Sequence, residues 1–254
     1  MNSMAALVSD KTYWPQDLWH QCNANVRWHE AGEKDIVRQF IEKWIPRGSN
    51  GDSCVELGCM PGRYLSCFGR MGYILNGVDL SPNVLTELPK WLSGMDYRIG
   101  DFSIDDVRCF TSSKKYSVVC SFGLIEHFED WDGIVRKHVE ICKPGGYVVI
   151  TAPNFRGWCQ KLMHKLADPE NLSYHNLDAM QPEKWAAVGS DMDCEILFSG
   201  YLGKFDFWSG PQRRTWVRKG LGSMFKTFGA LPRMLPFNTV ALSPYCAVVL
   251  QKRS

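Results

Sequence analysis

The feature that most constrains this chain is a glycine turn set between two apolar runs. Glu56-Leu57-Gly58-Cys59-Met60-Pro61-Gly62 takes over from the run Cys54 to Leu57, and a second run, Tyr73 to Asp79, ends in a carboxylate 21 positions after Gly58. Glycine at 58 and 62 lets backbone approach a ligand where a Cβ would collide. A carboxylate at the tip of the second strand is placed to accept both hydroxyls of a ribose. A G-x-G-x-x-G dinucleotide turn would need glycine at 60 and 63, where Met60 and Arg63 stand, so NAD fits poorly.

The rest of the chain alternates strand and helix. Residues 30–45 place Ile36, Val37, Phe40, Ile41, Trp44 and Ile45 on one helical face, and Pro46 and Gly48 stop the helix. Ser81-Pro82 opens a helix after the second strand. Further strands are expected at Tyr97–Ile99, Tyr116–Phe122, Tyr147–Ala152, Glu195–Ser199 and Tyr245–Leu250, with a helix from Ile134 to Cys142 before the turn Lys143–Gly146. This rhythm means right-handed βαβ crossovers and a mostly parallel sheet with helices on both faces. Residues 1–254 read as one domain. Within it, 1–46 forms an N-terminal helical lid or cap carrying Tyr13, Trp14, Trp19 and Trp28. Residues 154–190 form a helix-and-loop insertion after strand five, and 212–235 a basic helical insertion before the last strand.

Several motifs now line up in order. Over most of residues 30–153 the sequence resembles the class I S-adenosylmethionine (SAM)-dependent methyltransferases with an E-x-G-x-G-x-G first motif. That resemblance implies a Rossmann-like fold of seven strands with a substrate lid after strand five. It implies that Glu56 and the Gly58–Gly62 turn hold the methionine part of SAM, and that Asp79, with Leu80 beside it, takes the ribose hydroxyls. Gly100-Asp101-Phe102 is similar to the adenine-contacting motif, with Asp101 on the exocyclic amine and Phe102 at the ring. Ser121 to Phe128 resembles the motif after strand four, which adds Ser121 to the cofactor set. The family's middle glycine is Met60 here, whose side chain must point away from the ligand or narrow the pocket.

Methyl transfer from a sulfonium is an in-line displacement, and a hydroxyl acceptor gains from a base. His127 is the first candidate base, unless it only holds a loop, and His175 in Ser173-Tyr174-His175-Asn176 is the second. Glu126, Asn154, Tyr174 and Asn176 are the expected substrate contacts. The ten cysteines form no C-x-x-C pair and the histidines lack metal-ligand spacing, so no metal and no disulfides are expected.

Residues 207–254 contain no acidic residue against eight basic ones. Val217, Leu221, Met224, Phe225 and Phe228 share a face, which suits either a core helix or peripheral contact with an anionic membrane. With a pI near 8.0 and no nucleic-acid motif, nucleic acid is not the expected partner. The absence of an apolar stretch of about 20 residues and of a basic-then-apolar N-terminus points to a cytoplasmic protein.

The sequence thus predicts methyl transfer from SAM to a small-molecule acceptor through a hydroxyl. A loose similarity of residues 175–208 to bacterial methyltransferases linked to surface-polysaccharide synthesis suggests a sugar or glycan. An N-methyltransferase, an enzyme acting on protein or RNA, and an inactive partner with a methyltransferase fold remain the alternatives. The oligomeric state is not legible.

Overall fold

In the computed structural model, residues 27–208, 215–228 and 238–254 are described. Tyr13, Trp14 and Trp19 of the expected cap, and residues 212–214 and 229–235 of the basic insertion, lie outside them. Seven strands are present: β1 (Ser53–Leu57), β2 (Ile74–Asp79), β3 (Ile99–Ile104), β4 (Tyr116–Phe122), β5 (Cys142–Pro153), β6 (Cys194–Leu202) and β7 (Tyr245–Lys252). They form one sheet in the order β3-β2-β1-β4-β5-β7-β6. The pairs β1–β2, β1–β4, β2–β3 and β4–β5 are parallel, whereas β7 lies antiparallel between β5 and β6. The winding direction changes between β1 and β4, so their carboxyl ends open a crevice of the kind that holds ligands in such sheets.

Helices cover both faces. On one side α1 (Ile36–Trp44), α2 (Leu65–Arg70) and α3 (Glu87–Ser93) bury Val37, Phe40, Ile41, Phe68, Leu88 and Leu92 against Cys54, Leu75, Val118 and Val249 of the strands. On the other, α4 (Trp131–Ile141) packs Ile134, Val135 and Val139 against Val119, Val148 and Ile150. Asp35 caps α1 by accepting from the N–H groups of Val37 and Arg38, so the helix starts later than the apolar period suggested.

The expected insertion divides in two. Helices α5 (Trp158–Ala167) and α6 (Pro169–Ser173) and a 3-10 turn at Leu177–Ala179 lie beyond the carboxyl end of β5. Helix α7 (Pro182–Asp191) instead packs on the sheet before β6, with Trp185 fully buried and its indole N–H donating to the Ala179 carbonyl at 2.7 Å. Apolar burial decides this: Trp185, Ala186 and Val188 belong to the sheet core, not to a lid.

The basic helix, α8 (Trp216–Phe228), lies within the expected 212–235. Leu221 and Phe225 pack with Phe207 and with Met163 and Ala167 of α5, while Val217 and Met224 are exposed, so its apolar face is split. The nine cysteines among the described residues are free; Cys54 and Cys120 lie side by side across β1 and β4, sulfur to sulfur 3.7 Å.

At the amino ends of the strands, opposite the crevice, Asp52 joins β1, β4 and β5. Its carboxylate accepts from Ser117 Oγ and Lys143 Nζ, both at 2.7 Å, and from the Ser49 N–H at 2.9 Å. The Lys143 hydrogen bond, then those of Ser117 and Ser49, lower its pKa to about 2 from an ordinary 3.8. A carboxyl group whose folded pKa is depressed stabilises the fold above its unfolded pKa, and that contribution is lost as the pH falls through the folded value. Asp52→Asn is therefore expected to lower stability at pH 7 by about 1 kcal/mol, a value discounted for solvent exposure. The difference from the parent should shrink between about pH 4 and pH 2 in thermal melts followed by circular dichroism.

Candidate active site

The glycine turn is held from below by β2. Gly58 and Cys59 donate backbone N–H groups to the Val78 carbonyl, at 2.8 and 3.2 Å. The buried Asp79 carboxylate accepts from the Met60 N–H at 3.0 Å with one oxygen and from the Ser81 N–H at 2.8 Å with the other. Gly58 and Gly62 have φ of +70° and +77°, the left-handed region that glycine enters without a Cβ penalty. An added Cβ at Gly58 would stand 2.7 Å from Leu124 Cδ1, and one at Gly62 would strike Leu88 Cδ1. The need for glycine thus comes from φ and from the chain's own leucines as well as from any ligand. Met60 is buried in the helix-side core with Val84 and Leu88, so it does not occupy the open side of the turn.

Glu56 is 4% exposed, next to Asp79, and its Oε2 has no hydrogen-bond partner among the described residues. Burial, then the Asp79 charge, push its pKa well up against the opposing Leu65 N–H. Two buried carboxylates beside a turn of backbone suit a cationic ligand that brings hydroxyl donors. A diphosphate would face like charge there. The adenosyl sulfonium fits this donor set on both counts.

Other expected cofactor contacts are placed differently. Asp101 lies within edge strand β3, exposed and paired with Lys114. The register sets Asp79 opposite Ile104, and the Asp105 N–H donates to the Asp79 carbonyl at 3.2 Å. Asp105, which sequence reading passed over, is therefore the carboxylate at the crevice end of β3. Phe102 is half-buried against Gly77 in the helix-side core. Ser121 is fully buried and its Oγ lies 2.9 Å from His138 Nε2 of α4, on the side away from the turn. Leu80 follows Asp79 directly and is half-buried.

The candidate catalytic residues do come together. His127 follows β4 and His175 belongs to the insertion, and their rings lie 4.7 Å apart. Three hydrogen bonds lock 174–176 onto 126–128. The Asn176 N–H donates to the Glu126 carbonyl at 2.7 Å, and Asn176 Nδ2 to the Phe128 carbonyl at 3.0 Å. His127 Nδ1 lies 3.0 Å from the Tyr174 carbonyl. The Asn176 side chain thus binds backbone, and the Tyr174 carbonyl holds the His127 ring. Asn154 is also a fastener: its Nδ2 donates to the Val240 and Ser243 carbonyls at 2.7 and 2.8 Å.

Glu126, His127 and His175 line a cavity of about 330 Å³ with Tyr64, Phe122 and Trp208. Burial pushes the Glu126 carboxyl up to about 8. Burial, and then His175, bring His127 down to about 3 against the Tyr174 carbonyl, and burial brings His175 to about 4. His127 Nε2 and Glu126 Oε1 are 3.9 Å apart, but with the imidazole kept neutral they form no ion pair. Of the aromatic cluster at 205–208, Phe205 and Phe207 are core, and Trp208 alone reaches the cavity. His164 was missed by sequence reading. Its ring lies 4.0 Å from Phe155 and 4.9 Å from Phe207, among aromatics that only tertiary packing assembles.

A family model described as a methyltransferase domain matches residues 28–187. The ubiquinone biosynthesis O-methyltransferase of Hydrogenovibrio crunogenus is 24% identical over 162 residues, which cover 60% of this chain and 66% of that protein. Its counterpart in Coxiella burnetii is 21% identical over 135 residues, or 50% and 56% of the two chains. The matched stretch therefore spans less than two thirds of these relatives. Among solved structures, a SAM-dependent methyltransferase from Archaeoglobus fulgidus aligns with a TM-score of 0.55 at 15% identity, covering 93% of this chain and 99% of that one. The N-methyltransferase NodS from Bradyrhizobium japonicum, solved with S-adenosyl-L-homocysteine, gives 0.50 at 9% identity, covering 80% and 79%. Family match, strand order and glycine turn agree, and the chain belongs to the methyltransferase-domain family, on a class I Rossmann-like fold.

Proposed function

We propose that this chain transfers a methyl group from SAM to a hydroxyl of a small molecule, with a saccharide as the favoured acceptor class. The observation that carries the reading is the convergence of Glu126, His127 and His175 on one cavity at the carboxyl end of β4, beside the glycine turn. SAM, when bound, supplies a methyl group on a positively charged sulfur. Glu56 and Asp79 offer that charge and the ribose hydroxyls buried acceptors, and Asp105 stands where β3 ends beside them. Each imidazole has Nδ1 against a backbone carbonyl, so Nε2 is the lone-pair nitrogen that an acceptor hydroxyl meets. As the new O–CH3 bond forms and the S–CH3 bond breaks, the hydroxyl proton passes to a lone pair of this cluster. Nε2 lone pairs on two neighbouring histidines suit a hydroxyl, which must give up a proton, and the names of the curated relatives agree with oxygen as the atom methylated. Trp208 at the cavity edge offers an apolar face of the kind on which sugar rings stack.

Calorimetry should show one SAM site per chain. Asp79→Asn should weaken it about tenfold or more, since a charge-assisted hydrogen bond is worth about 1.5–3 kcal/mol. His127→Gln should keep SAM affinity and lose at least about a hundredfold in turnover on labelled SAM and a panel of saccharides. No heat and no thermal stabilisation at millimolar SAM would sink the reading. Label appearing only in amines would redirect it to an N-methyltransferase.

We also propose peripheral contact with an anionic membrane through α5 and α8. Trp158, Leu162 and Leu166 recur at four-residue spacing on α5 and are 69%, 49% and 48% exposed. Trp216 on α8 is 84% exposed, with Val217 and Met224 also out. Lys161, Lys165, Lys219 and Lys226 are exposed on the same two helices, neither of which contains an acidic residue. Apolar rings among lysines fit a lipid interface of opposite charge, whereas no described helix is long and apolar enough to cross a membrane. The protein should co-sediment with vesicles containing phosphatidylglycerol at low salt, less so at high salt, and not after Trp158→Glu with Trp216→Glu. Failure of the parent chain to sediment with them removes the proposal.

A further inference from the structure

We propose that Glu126, His127 and His175 bind a divalent transition-metal cation at the acceptor end of the cavity. No metal centre was expected from the sequence, because its histidines lack close ligand spacing. The fold removes that objection by bringing His175 from the insertion to Glu126 and His127 after β4. One potential ligand atom from each of the three lies within 4.8 Å of the others.

Three observations support a cation there. First, His127 Nδ1 lies 3.0 Å from the Tyr174 carbonyl and His175 Nδ1 2.6 Å from the Asn171 carbonyl. A carbonyl accepts only from a protonated nitrogen, so both rings carry the proton on Nδ1 and the lone pair on Nε2. This is the tautomer, with its supporting carbonyl, that holds a ligating histidine in place. Second, Glu126 is 1% exposed and its Oε2 has no hydrogen-bond partner among the described residues. A buried carboxylate with one oxygen left without a donor calls for positive charge. Third, none of the described residues lining the cavity is a lysine or arginine that would supply that charge.

Two imidazoles and one carboxylate are the donors that zinc, manganese and iron prefer over magnesium or calcium. The ligand atoms would draw in to about 3.3 Å from one another at bond lengths near 2.0–2.1 Å. With three protein ligands, coordination positions remain for the acceptor oxygen. With the cation bound, both Nε2 lone pairs are engaged, and if Glu126 ligates through Oε1 its Oε2, in place of an imidazole, is left to take the hydroxyl proton. The role in methyl transfer rests on the function proposed above; cation binding does not.

The full chain, stripped with a chelator, would be titrated with Zn2+ by calorimetry without SAM. One Zn2+ per chain is expected, with affinity falling at least about tenfold in Glu126→Gln and in His175→Gln while SAM affinity stays within about twofold. Because substitutions here can loosen the insertion, Co2+ added to the unaltered chain gives a second readout. Visible absorption bands of nitrogen-ligated, low-coordinate cobalt should appear and be displaced by Zn2+. No Zn2+ binding up to millimolar concentration, or equal binding by the parent and folded His175→Gln, overturns the site. SAM binding without Zn2+ binding defeats the cation site and leaves the methyltransferase reading. Zn2+ binding without SAM binding does the reverse.

Discussion

The Asp79 carboxylate is the constraint on which the site depends. Its two oxygens take the N–H groups of Met60 and Ser81, so one buried side chain fixes both the glycine turn after β1 and the chain leaving β2. The second carboxylate, Glu56, is buried beside it, with its Oε2 lacking a hydrogen-bond partner among the described residues. Such an arrangement is stable only if the turn is rigidly pinned and if like charge is relieved by protonation or by a cation. The turn is pinned twice more through the Val78 carbonyl, which receives Gly58 and Cys59.

Much of the fold was legible because the sheet is buried on both faces. β4 has the bounds expected for Tyr116–Phe122, since its apolar run reports burial directly. β3 was harder. As an edge strand it carries exposed Gly100, Asp101 and Ile104, and the expected Tyr97–Ile99 overlaps it only at Ile99. Asp101, expected just past the strand, is therefore mid-strand, and Asp105 is the carboxylate beside Asp79. β5 begins at Cys142, earlier than expected, by running through the Pro144–Gly146 turn.

The candidate catalytic pair was legible by residue type but not by geometry. Histidine after β4 and histidine in the insertion are visible in the sequence, yet only the fold brings their rings to 4.7 Å. Ser121 was expected from the motif resemblance, Asn154 from its place after β5 and Asn176 from the insertion. Each is instead committed to a helix histidine or to backbone carbonyls, a choice decided by side-chain direction that residue type does not reveal. Met60, which seemed to narrow the pocket, is absorbed by the core beneath the turn.

The fastening of Asn154 has a mechanical consequence. Its amide holds the carbonyls of Val240 and Ser243, its backbone N–H donates to the Pro244 carbonyl, and its Oδ1 accepts the Gly157 N–H at 3.3 Å. The start of α5 and the approach to β7 are thereby riveted into one piece with the sheet. The stretch after α5 stands outside that rivet and is latched separately, through the hydrogen bonds of Tyr174 and Asn176 to residues 126–128.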